Sequence, residues 1–154
     1  MPDAIISQLT TGDIFWFANW PSGNVPRTGA IVYTIWDREL AFIYAGMSGR
    51  ALTENSKQSG KGPFGRMESH ANGRRSGDQF CVYVADRLLL PTLHNRLRDI
   101  AEGDLSMDSL NKAYIRQNLG FRWASVKSSS EAFAIEKRLK MGIGTSDKPL
   151  LNGI

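Results

Sequence analysis

The chain has 154 residues, 42% of them hydrophobic and 22% charged, which is ordinary for a folded protein and suits one domain with a real core. No apolar run approaches the ~18 residues that a membrane span needs, and Met1-Pro2-Asp3-Ala4 lacks the basic-then-apolar pattern of a leader, so a cytoplasmic protein with no membrane partner is expected. The single cysteine, Cys81, excludes an internal disulfide and, with so few histidines, a zinc site of clustered Cys and His.

In chain order, Asp13 to Ala18 is a short apolar run suited to a buried or edge strand, and Trp20 to Pro26 is a turn-rich connection. Residues 1–29 therefore read as an extension that adds a strand to the sheet, with Trp20 used in packing. Ala30 to Trp36 and Ala41 to Met47 are rich in β-branched and aromatic residues and are split by the charged turn Asp37-Arg-Glu-Leu40. A hairpin centred between Arg38 and Glu39 puts Tyr33 directly opposite Tyr44 on one face. Gly46 follows on that face, where a missing side chain leaves room for a ligand or another backbone.

Met47 to Lys61 reads as a polar loop, and Gly62-Pro63 opens a short helix closed by Asn72-Gly73. Phe64, Met67 and Ala71 form its apolar stripe, with Arg66 and His70, four apart, at the boundary of core and solvent. The chain's formal charge of +4 resides here: residues 50–75 hold six basic side chains (Arg50, Lys57, Lys61, Arg66, Arg74, Arg75) against Glu54 and Glu68, and the remainder is balanced. Such a Gly/Ser-rich basic segment suits a polyphosphate backbone, which releases counterions on neutralisation, and equally suits a solvated loop.

Gln79 to Ala85 is predicted as a third strand carrying Cys81 as a core side chain. Pro91 to Ala101 and Met107 to Leu119 are predicted as a helical pair inside residues 87–120, with His94 structural. Phe121 to Lys127 is a fourth strand. Ser128 and Glu131 then form a capping box for a helix on which Ala132, Phe133, Ile135 and Leu139 make an apolar arc, with Glu136 in its middle. A carboxylate on a buried stripe has to be paired, protonated or bound to a cation; the paired alternative is an arginine such as Arg66, the other a metal ion. Gly142 to Asn152 reads as loop, where Asn152 could cap a turn.

Ile31-Val-Tyr33, ten residues, then Tyr44-Ala-Gly46 resembles the paired signature of the GIY-YIG nucleases, with Ile31 in place of the first glycine and Ala45 in place of the second isoleucine. Arg66-x-x-x-His70, a helix with a central Glu136, and Asn152 after Pro149-Leu-Leu follow in the family's order. The resemblance spans roughly residues 28 to 152 and is interrupted by the helical pair. It implies an α/β fold of the α+β type: a small, mainly antiparallel sheet flanked by helices, as a single domain over 1–154.

The same resemblance implies a divalent-metal-dependent endonuclease hydrolysing phosphodiester bonds in DNA. Glu136 would hold one Mg²⁺ or Mn²⁺, and Arg66 would bind a phosphate oxygen. Tyr33 or His70 would take the water's proton, Tyr44 would position water or phosphate, and Asn152 would hold the phosphate or support the site. Gly46, Ser48, Arg50, Lys57, Lys61, Arg74 and Arg75 would line the nucleic acid. One carboxylate with no acidic cluster argues against a two-metal site. The alternatives are a catalytically silent DNA-binding module of this fold, or a nuclease for RNA or repair intermediates. A double-strand cutter with one site per chain would have to work as a homodimer.

Overall fold

A computed structural model describes residues 2–49, 62–142 and 147–152. It is a mixed α and β structure around a four-stranded antiparallel sheet: β1 (Phe15–Trp16), β2 (Ala30–Asp37), β3 (Phe42–Ser48) and β4 (Leu119–Val126), in the order β1-β4-β2-β3. The helices are α1 (Pro2–Thr11), α2 (Gly62–Asn72), α3 (Gln79–Tyr83), α4 (Leu97–Ala101), α5 (Met107–Asn118) and α6 (Ser129–Lys140).

The alternation of side chains along each strand divides the core in two. Ile31, Tyr33, Ile35 and Phe121 face α2, α3 and α5 through Met67, Ala71, Phe80, Cys81, Val84 and Ile115. Val32, Trp36, Ala45 and Ala124 face α1 and α6 through Ile6, Leu9, Ala132, Ile135 and Leu139. Strands with both faces covered read as continuous apolar runs, and β2 is buried from Ala30 to Trp36.

The β2–β3 hairpin forms as the residue types dictate, but its register differs from the expected one. Tyr33 pairs with Gly46, and Tyr44 pairs with Ile35. Two irregularities accumulate. Leu40 adopts φ +64°, making a three-residue loop in which the Asp37 carboxylate accepts from the Glu39 and Ala41 amides at 2.9 Å each. Ile43 is then an extra residue, because Ile35 pairs with Tyr44 while Trp36 pairs with Phe42. Tyr33 and Tyr44 therefore remain on one face as diagonal neighbours, their ring centroids 6.4 Å apart.

Three further expectations are corrected. Gln79 to Ala85 is helical rather than a strand: Phe80, Cys81, Val84 and Ala85 are buried at helical spacing, and the turn continues through a π-helical segment, Val84–Leu89. A short apolar run carries no reliable period of its own, and the Asp78 side chain, capping α3 by accepting from the Cys81 amide, decides the outcome. The helix expected over Pro91 to Ala101 shrinks to a 3₁₀ turn, Leu90–Thr92, and the five residues of α4, whereas α5 forms as expected and covers the sheet through Ile115. On α6 the buried arc is Ala132, Ile135, Glu136 and Leu139, and Phe133 is 50% exposed. At about 100° per residue this places Glu136 at the rim of the arc rather than its middle.

The N-terminal extension does add a strand, although only two residues of it pair with β4, and it also forms a helix, α1, that is not among the expected elements. Trp20 packs against Phe64 and Phe121. His94 is exposed. Among the described residues no helix is long and apolar enough to cross a membrane.

Candidate active site

The site assembles on the outer part of the sheet around β3, whose open edge is covered by the C-terminal segment. The amides of Leu150 and Leu151 donate to the carbonyls of Phe42 and Ile43 at 3.0 and 2.9 Å. Asn152 continues this pairing with its side chain: Oδ1 accepts from the Ala45 amide at 2.6 Å and Nδ2 donates to the Ala45 carbonyl at 2.9 Å. Its amide group is thus engaged in holding β3.

Tyr33 lies across Gly46. A Cβ at Gly46 would collide with the tyrosine's phenol ring, so the space left by the missing side chain is filled by Tyr33 and not by a ligand. With its ring so placed, Tyr33 reaches α2, where its Oη lies 2.8 Å from His70 Nε2. His70 is buried, 1% exposed, and so lies inside the core rather than at its boundary, while Arg66 one turn earlier is exposed. The helix that carries both therefore presents a cation to solvent and an imidazole to the phenols. Phe80 closes the imidazole's other side at 4.7 Å and Tyr44's at 5.0 Å.

On the far side of the imidazole, Nδ1 lies 2.7 Å from Asp78 Oδ2. That carboxylate also accepts from Ser69 Oγ at 2.7 Å and from the Cys81 amide at 3.0 Å. Asp78 is 2% exposed and was not foreseen. Reading Gln79 to Ala85 as a strand concealed it, because an aspartate before a helix is a cap with a defined direction, whereas one before a strand is only a turn residue.

The electrostatics follow from burial. Desolvation raises Tyr33 well above the ordinary phenol value; Tyr44, Asp78 and Glu136 raise it further, and Arg66 opposes them. Burial and then Glu136 push Tyr44 to about 12. Glu136, carried on the opposite face of the sheet, is thus within electrostatic reach of both phenols. Burial also pushes Asp78 up, but the hydrogen bond and charge of His70, with the bonds from Ser69 and the Cys81 amide, outweigh it and hold the carboxyl at about 2 against an ordinary 3.8. Because the folded value is the lower one, this stabilisation is complete above about pH 4 and is lost as pH falls toward 2. Its size is on the order of 2 kcal/mol. Melting temperature followed against pH should show an acid limb in that window, and Asp78→Asn should flatten it.

Glu136 is 5% exposed, as a carboxylate on the buried stripe should be, and makes an ion pair with Lys140 one turn on, at 3.3 Å. His70, Asp78 and Cys81 also place three ligand-type atoms within 4.8 Å of one another. Their chemistry suits a hydrogen-bond network better than a metal. Burial raises the Cys81 thiol far above its ordinary value, its sulfur faces the carbonyls of Ser69 and His70 at 3.8 Å, and His70 Nδ1 already has Asp78.

Of the expected nucleic-acid contacts, Ser48 is buried opposite Ile31. Arg75 is tied to Asp108 by its Nε at 2.8 Å, and Arg74 is exposed. Arg50, Lys57 and Lys61 lie outside the described residues. Compared with protein-family models, curated proteins and solved structures, the chain matches none of them.

Proposed function

We infer that this chain is a GIY-YIG-type endonuclease that hydrolyses phosphodiester bonds in DNA with the help of one divalent metal ion. The observation that carries the reading is convergence: Tyr33, Tyr44, His70, Arg66, Glu136 and Asn152 come from five separate segments, and contacts and electrostatics join them around β3. Residues kept for packing alone would not need two phenols, an imidazole, a guanidinium and a buried carboxylate at one sheet edge.

Glu136 fits a hard cation. It is a nearly buried carboxylate that reaches the half-exposed Lys140, and carboxylate oxygen suits Mg²⁺ or Mn²⁺. When bound there, such an ion would polarise the scissile phosphate. The chain's own groups do the rest. Arg66, exposed on α2, offers its planar fork to a phosphate oxygen. Tyr44, the more exposed phenol, positions water or phosphate. Tyr33 takes the water's proton and passes its own to His70, 2.8 Å away. Asn152 keeps β3 in place beneath both tyrosines.

The test is nicking of a supercoiled plasmid with Mg²⁺, extended to duplex, branched and RNA substrates. Failure to cut any of them sinks the reading and leaves a non-catalytic module. Binding divides the two neighbouring arginines. Arg74→Ala should weaken binding to every DNA sequence alike and flatten the salt dependence by up to about one log unit. Arg75→Ala breaks a surface ion pair worth no more than about 1 kcal/mol and should leave the slope nearly unchanged. Anisotropy titrations across a salt series decide this; equal slopes in all three proteins would exclude Arg74 from the interface.

A further inference from the structure

Behind the Tyr33–His70 pair sits a buried carboxylate that the nuclease reading does not use. Asp78 Oδ2 lies 2.7 Å from His70 Nδ1, and Tyr33 Oη lies 2.8 Å from His70 Nε2, so the imidazole bridges an acid and a phenol through its two nitrogens. We propose that Asp78 is a positioning residue, locking His70 in the tautomer with its proton on Nδ1, so that the Nε2 lone pair faces the Tyr33 hydroxyl and is ready to receive its proton. This rests on the nuclease reading for its purpose, but not for its geometry.

The direction follows from donor counting. An ionised carboxylate only accepts, and Asp78 accepts from Ser69 Oγ, the Cys81 amide and the imidazole. Three donors on one buried carboxylate keep it charged, in keeping with its low proton affinity. His70 Nδ1 therefore carries a hydrogen, and in the neutral ring Nε2 does not. Tyr33 is then the donor in its bond to Nε2. When the phenol's proton crosses to Nε2, the ring becomes an imidazolium facing Asp78, and Tyr33 Oη takes the water's proton in its place, so that the water is left as hydroxide and the phenol is neutral again. The arrangement is the one a buried aspartate serves behind a general-base histidine, with a phenol in the place of a hydroxyl nucleophile.

Position adds a second support. Asp78 is held by the helix it caps and Ser69 by the helix that carries His70, so carboxylate and imidazole are fixed by two packed elements rather than by a loop. Phe80, two residues beyond Asp78, packs against the imidazole with ring centroids 4.7 Å apart and narrows the space in which the ring could turn.

The full chain, labelled with ¹⁵N-histidine, tests the proposal directly. There are two histidines, and His94→Gln assigns the signals. Long-range ¹H–¹⁵N correlations distinguish an Nδ1–H ring from an Nε2–H ring. The expected result is Nδ1–H at His70 in the wild type. Asp78→Asn and Asp78→Ser both retain a side chain that can cap α3, so a role in capping alone predicts that both behave as wild type. The proposal predicts instead that both lose the single Nδ1–H tautomer, and that plasmid nicking falls roughly a hundredfold with DNA affinity unchanged. An Nε2–H ring in the wild type, an unchanged tautomer in both variants, or undiminished turnover despite a changed tautomer would each overturn it. A wild type that cuts nothing while showing the Nδ1–H ring, lost in both variants, would refute the nuclease reading and uphold the positioning of His70.

Discussion

Glu136→Gln is expected to abolish Mg²⁺-dependent cleavage and to leave the fold intact. The amide keeps the shape of the carboxylate and removes the charge on which a hard cation depends. Little stability should be lost. Lys140 is half-exposed and can turn to water when its partner is neutral, and a buried carboxylate is a costly group for a folded chain to keep. The melting temperature should therefore stay within a few degrees of the wild type or rise, while nicking disappears at every Mg²⁺ concentration. Wild-type cleavage by the variant would falsify the assignment of Glu136 as the metal ligand. A variant that does not fold would instead assign Glu136 to its ion pair with Lys140.

Tyr33→Phe is expected to reduce turnover by roughly a hundredfold or more with DNA affinity little changed, the range of a general base. The structure adds a cost in stability. Removing Oη leaves His70 Nε2 facing an apolar ring inside the core, and a buried polar atom without its partner costs about 1 to 3 kcal/mol. Melting curves therefore have to accompany the kinetics, and rates should be compared where both proteins are folded. His70→Ala should also slow cleavage. If both side chains lie on one proton path, the double variant should be no slower than the poorer single one. Additive losses would mean separate roles, and normal cutting by Tyr33→Phe beside an inactive His70→Ala would make the imidazole the base and the phenol a packing group.

How much of the fold is legible in the chain depends on which signals are local. The hairpin, β4, α2, α5 and the Ser128 cap of α6 were all visible in the chain, because β-branched runs, helical stripes and capping boxes act over a few residues. That Tyr33 and Tyr44 share a face followed from the strand period alone. Their true register did not, since it was shifted by a left-handed residue at Leu40 and a bulge at Ile43 that composition does not announce. Gly46 shows the same limit: its absence of a side chain was plain, but not what would fill the space.

What the sequence alone determined about this protein is the set of chemical groups and their order: two tyrosines on one hairpin face, an arginine and a histidine on one helix, and a carboxylate on a buried stripe. Tertiary structure decided which of these meet. Asp78 joins His70 only because the run after it is helical, and whether a short apolar run is helix or strand depends on what packs around it. Tyr33 reaches His70 across 37 positions, and Asn152 reaches Ala45 across more than a hundred residues of chain. Such long-range contacts arise from how whole elements bury their apolar faces, so no window of neighbouring residues contains them.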